Sequence, residues 1–113
     1  MRQELDDLLC QRYPTQFTQR HGSAQETCMA RGFECGDGWF HLIDAFCARI
    51  EWMTAQNDMP PLVFTQIKEK CGSLRLRFKG GDERARQMAE VLLELSFRID
   101  EATGHPKPWP TVP

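Results

Sequence analysis

The chain has no apolar run approaching the roughly 18 residues needed to cross a bilayer. Its start, Met1-Arg-Gln-Glu-Leu-Asp-Asp, lacks the apolar core of a secretory leader. These absences point away from the membrane and toward the cytosol. Paired cysteines are missing too. Cys10, Cys28, Cys35, Cys47 and Cys71 are five in number and contain no C-x-x-C pair, so no disulfide framework is expected and the thiols read as reduced. His21, Cys28 and Cys35 match no zinc spacing, and loop anchoring with buried thiols is the expected role there. Positive charge is not in excess: the net charge of −2 argues against bulk nucleic-acid binding but leaves room for a local basic patch. The glycines at 36 and 38 lack the order of a phosphate loop or a dinucleotide fingerprint. No internal repeat is present. No cofactor, metal or catalytic residue is assigned.

What remains is ordinary globular material. With 113 residues, 41% hydrophobic and 27% charged, the chain fits one domain with a modest core. It is organised around Gly32-Phe33-Glu34-Cys35-Gly36-Asp37-Gly38-Trp39-Phe40, a glycine-punctuated turn running into an aromatic helix start. Gly36, Asp37, Gly38, Trp39 and Phe40 read as a structural keystone. Asp37 is expected to be the N-cap of a central helix over 37 to about 56. Trp39, Ile43, Phe46, Ile50 and Met53 form its apolar stripe, widened by Leu42 and Cys47. His41, Asp44, Ala48 and Glu51 form the wetter face. Trp52 lies off the stripe, where it either covers a core edge, the favoured reading, or marks a partner contact.

Before this helix, residues 2–12 read as a short helix stopped at Tyr13-Pro14. Residues 15–36 are expected to hold a short helical turn, or a loop packed down by Phe17, Met29 and Phe33. After it, Asn57-Asp58-Met59-Pro60-Pro61 is a stop and turn. Residues 62–70 and 74–79 read as antiparallel strands joined at Cys71-Gly72. That register faces Lys70 to Ser73, Ile67 to Leu76 and Thr65 to Phe78, with Val63 extending the apolar side. Asp82 is expected to cap a last helix running to about 102, with Ala85, Met88, Ala89, Leu92, Leu93 and Phe97 apolar. The fold class is therefore α+β, ordered helix, loop, helix, β-hairpin, helix, with the hairpin packed on helices. The single domain spans 1–104, followed by a proline-rich tail over 105–113 in which Trp109 is a candidate anchor or contact.

Two stretches resemble a small protein family of tailed bacteriophages and prophages. Gly32-Phe-Glu-Cys-Gly-Asp-Gly-Trp-Phe, followed by Leu42-Ile-Asp, is similar to its GFECGDGW(Y/F)xLI motif. Ile67-Lys-Glu-Lys-Cys-Gly-Ser-Leu-Arg-Leu resembles its second motif, (V/I)KEKFGGLRF, and Gly80-Gly81-Asp82 resembles the turn that follows. Members of that family often carry a C-x-x-C-G knuckle after the last helix. Here the segment is Asp100-Glu101-Ala102-Thr103-Gly104, with Asp100 and Thr103 at the cysteine positions. A tetrahedral structural zinc needs its thiolates, so the resemblance implies a site that this chain has lost.

Lys68, Lys70, Arg75, Arg77 and Lys79 should share one side of the hairpin with no acid among them. Such a ribbon suits a phosphate backbone or a protein partner, or is simply a solvated face. It carries no aromatic on which a base would stack. Cys71, at the turn tip, is expected to be exposed. Two functions stand. The resemblance implies a non-catalytic accessory protein of a phage or prophage, in the bacterial cytoplasm, that binds a host protein, for example to inhibit a defence complex. The alternative is a nucleic-acid-binding factor that uses the basic hairpin face.

Overall fold

The computed structural model describes residues 1–22 and 27–108. Among the described residues it is an α+β fold with three α-helices and one three-stranded mixed sheet. Helix α1 spans Gln3–Arg12. It stops at Tyr13 because the following proline keeps that residue out of the helical region. The next segment winds through two 3₁₀ turns, Thr18–His21 and Cys28–Arg31. The Thr27 hydroxyl caps the second by accepting from the Met29 N–H at 3.1 Å. Phe17, Met29 and Phe33 are all buried, as the sequence suggests.

The 15–36 region also holds a strand that short-range pattern does not announce. β1, Phe33–Glu34, lies parallel to β2, Leu62–Lys70, with Phe33 beside Ile67 and Glu34 beside Lys68. The expected two-stranded hairpin is thus the larger part of a sheet ordered β1-β2-β3, in which β3 is Ser73–Gly80. The hairpin turn is Cys71-Gly72, both at positive φ (54° and 80°), the geometry that matches the twist of the flanking strands.

The register follows expectation from Lys70–Ser73 through Gln66–Arg77 and then shifts by one residue. Phe64, not Thr65, faces Phe78. The cause is the core. Phe64 stacks on Phe17 with centroids 4.9 Å apart and packs on Phe46 and Phe78. Its N–H turns away from β3 to the Gln16 carbonyl at 2.8 Å. A bulge at Thr65 lets Leu62 and Phe64 point inward and leaves Val63 only partly buried, so Val63 does not extend the apolar side.

Helix α2, Phe40–Ala55, buries Phe40, Ile43, Phe46, Cys47, Ile50 and Met53 against this sheet. A 3₁₀ turn, Asp37–Trp39, precedes it. Helix α3, Glu83–Ser96, starts where the Asp82 carboxylate accepts from the Arg84 N–H at 2.9 Å. It ends at Ser96, about a turn and a half earlier than the pattern suggests. Beyond it the chain folds into a turn in which Asp100 Oδ1 accepts from the N–H groups of Ala102 and Thr103, each at 2.9 Å. These bonds hold the Asp100 carboxyl below its usual range. The first residues of the tail are tied down as well, with Lys107 N–H donating to the Arg98 carbonyl at 2.8 Å. Trp109 lies outside the described residues.

Candidate partner-binding surfaces

The keystone stretch is a docking joint inside the fold. Gly36 N–H donates to Glu101 Oε2 at 2.8 Å, and Gly38 N–H donates to the Glu101 carbonyl at 2.7 Å. A Cβ on Gly38 would sit 2.2 Å from the Asp100 carbonyl oxygen, so only glycine admits this approach. Trp39 is 1% exposed, and its Nε1 donates to the Ile99 carbonyl at 3.0 Å. Phe40 is buried beside it. Asp37 differs from expectation. It does not cap its own helix. Its Oδ1 accepts from the Arg2 N–H at 2.7 Å, at the start of α1. A residue of the 3₁₀ turn that leads into α2 therefore holds the start of α1.

The thiols near these elements are held protonated. Burial pushes Cys35 up to about 12 and Cys10 up to about 11, and raises Cys47 well above its ordinary value. Cys28 and Cys71 are the exposed thiols. Among the described residues, no three His, Cys, Asp or Glu side chains are grouped to hold a metal ion. No helix among them is long and apolar enough to cross a membrane.

Pairing of Lys68 with Arg75 and of Gln66 with Arg77 brings Lys68, Lys70, Arg75, Arg77 and Lys79 onto one face. Lys70, Arg77 and Lys79 are exposed, and Lys68 and Arg75 are half-buried. Among the described residues none of the five forms an ion pair. The face is not free of acids, however. β1 places Glu34 beside Lys68, and Gln66 Nε2 reaches Glu34 Oε1 at 3.5 Å. The acid comes from a strand too short to be read from pattern, which is why the sequence makes this face look purely basic.

A second surface is apolar. Trp52 is 55% exposed and does not cover a core edge. Its ring stacks under the Arg49 guanidinium, 5.2 Å from the centroid. Val91 and Leu95 on α3 are 57% and 40% exposed. Between α2 and α3 runs an open groove of about 420 Å³, floored by Phe46, Met88 and Leu92 with Arg49 on its wall. A neighbouring depression of about 450 Å³ shares Gln87 and Val91 with it and continues over Leu95. Trp52, the groove and the outer stripe of α3 form one surface, adjacent through Arg49 and Val91. The sequence signal was present: Val91 and Leu95 are one helical turn apart and lie outside the core-facing set.

No protein-family model, curated protein or solved structure matches this chain.

Proposed function

We propose that this protein works without catalysis, by holding another protein on the α2–α3 surface. The supporting observation is the exposure of Val91, Leu95 and Trp52 around a groove that is already formed. Apolar side chains scattered singly over a surface need no explanation, but a contiguous set flanking a concave groove marks an interaction site. Trp and Arg are both among the residue types enriched at the energetic centre of interfaces, and Trp52 and Arg49 stand side by side here. Together with the resemblance to phage and prophage proteins, the reading is an accessory protein of that kind. It acts in the bacterial cytoplasm on a host protein such as a component of a defence complex.

The test is affinity capture from a lysate of the bacterium that carries the gene, with wild type and Val91→Asp/Leu95→Asp as paired baits. Both positions are exposed, so the variant should keep its thermal midpoint. The expected result is one stoichiometric partner on the wild type, depleted at least about tenfold on the variant, as loss of two hot-spot contacts produces. Absence of a stoichiometric partner, or equal recovery on both baits, overturns the proposal.

The unpaired cations of the hairpin favour a nucleic-acid backbone as the second reading. Binding of that kind weakens with salt and falls when Arg75 and Arg77 become Ala. A flat low-salt shift assay with DNA and RNA removes it.

A further inference from the structure

β3 is an edge strand of the sheet. Its outward backbone groups can be identified. Leu74 N–H points away from β2 and is taken by Ser96 Oγ at 2.8 Å. Phe64 N–H points away from β3, so the Phe64–Phe78 pair is of the kind that exchanges no backbone bonds. Alternation then aims the N–H and C=O of Leu76 and Phe78 out of the sheet. Among the described residues no side chain or loop bonds them.

That edge opens into a groove of about 310 Å³. Five consecutive residues, from Leu74 to Phe78, line one wall. Since neighbours in a strand point to opposite faces, a groove touching all five must run along the backbone edge itself. The other wall is the α3 face carrying Ala89 and Leu93. A strand edge beside a helix is the arrangement in which an extended peptide adds to a sheet, with bonds from the backbone and selection from alternate side chains.

Charge selects the occupant. Arg75 and Arg77 flank the edge without carboxylate partners, while Arg86 across the groove is paired with Glu83 at 2.8 Å and Glu90 is the one acid of the lining. A second copy pairing through β3 would set these arginines against their counterparts, an unfavourable juxtaposition. We propose that the β3 edge takes an extended peptide of about five residues from another protein, alternating acidic and apolar side chains. The acids meet Arg75 and Arg77, and the apolar side chains lie over Leu76, Ala89 and Leu93. This inference names a second surface and does not depend on the α2–α3 reading.

The experiment is amide hydrogen exchange by NMR with three probes: a seven-residue peptide alternating Glu and Val, the same peptide N-methylated along one edge, and a Lys–Val counterpart. With the Glu–Val peptide, the Leu76 and Phe78 amides should gain protection by at least about tenfold, as newly bonded strand amides do. The N-methylated and Lys–Val peptides should give none. Arg75→Glu/Arg77→Glu should exchange the preference, accepting Lys–Val and refusing Glu–Val. Val91→Asp/Leu95→Asp should bind Glu–Val as wild type does, so failure at one surface is read apart from failure at the other. No added protection at millimolar Glu–Val, equal protection by the N-methylated peptide, or protection that rises with chain concentration alone overturns the proposal.

Discussion

Trp39→Ala is expected to lower the stability of the domain by about 3–5 kcal/mol, the range for truncating a buried large aromatic. For a domain of this size that is a large fraction of the total, so the variant should be substantially unfolded at physiological temperature. The position of Trp39 matters as well as its volume. The ring is 1% exposed, and its Nε1 is the partner of the Ile99 carbonyl. Ile99 opens the turn whose Asp100 and Glu101 backbone seats against Gly36 and Gly38. Removing the indole empties the core and releases the carbonyl that ties this turn to the start of α2. Trp39→Phe weights the two effects differently, since it deletes the bond but keeps an aromatic ring and so empties less of the core, and its loss should fall below that of Trp39→Ala, nearer the roughly 1–3 kcal/mol of one orphaned buried group. Urea denaturation of the three proteins checks both. Near-native stability of Trp39→Ala would mean that the 32–40 stretch is a surface feature and not the joint of the fold.

Asp6→Ala is the second large effect. Asp6 lies on α1 with its carboxylate almost fully enclosed. Arg20 Nε and Nη2 both donate to it at 3.1 Å, and Arg20 Nη1 donates to the Ala30 carbonyl at 3.1 Å. One guanidinium thus ties α1 to both 3₁₀ turns of the 15–36 segment. Deleting the carboxylate leaves that charge half-buried without a counterion, a change that typically destabilises by about 3–5 kcal/mol. The penalty belongs to the orphaned charge more than to the bond. Asp6→Ala/Arg20→Met should therefore recover part of the loss, and a double-mutant cycle should show coupling well outside additivity. Additive losses would place the two residues in separate roles.

The 15–36 segment shows where sequence reasoning reaches and where it stops. Phe17, Met29 and Phe33 are legible as anchors because large apolar residues in a polar stretch have few other uses. The Asp6–Arg20 pair is not legible, because it joins residues fourteen positions apart across an irregular path. β1 is two residues long, and no period can be read in two residues. The hairpin turn and its first pairs followed from the two-residue Cys71-Gly72 connection. The bulge at Thr65 did not, since it is dictated by Phe17 and Phe46 from elsewhere in the chain. Asp37 was readable as a carboxylate with a backbone partner, but the partner is Arg2, beyond the reach of local capping rules.

The same limit applies to the surfaces. The five cations of the hairpin are placed by strand alternation alone, so their common face was legible. Glu34 enters that face through a long-range parallel pairing and was not. Trp52 stood off the α2 stripe in sequence, and two outcomes were open for it. Its exposure follows from geometry: α3 packs along α2 as far as the groove and leaves the outer turn uncovered. Val91 and Leu95 were overshadowed by Met88, Ala89, Leu92 and Leu93, which satisfy the core-facing pattern by themselves.

In the proposed reading, residues 32–40 hold the fold together while the α2–α3 surface holds the partner. Hydroxyl-radical footprinting of the captured complex against the free chain tests it most directly. Trp52 and Met88 should be oxidised readily in the free chain and protected in the complex, with Trp39 unreactive in both. Trp52 and Met88 equally reactive in the two states, with protection appearing instead over residues 32–40, would contradict that reading.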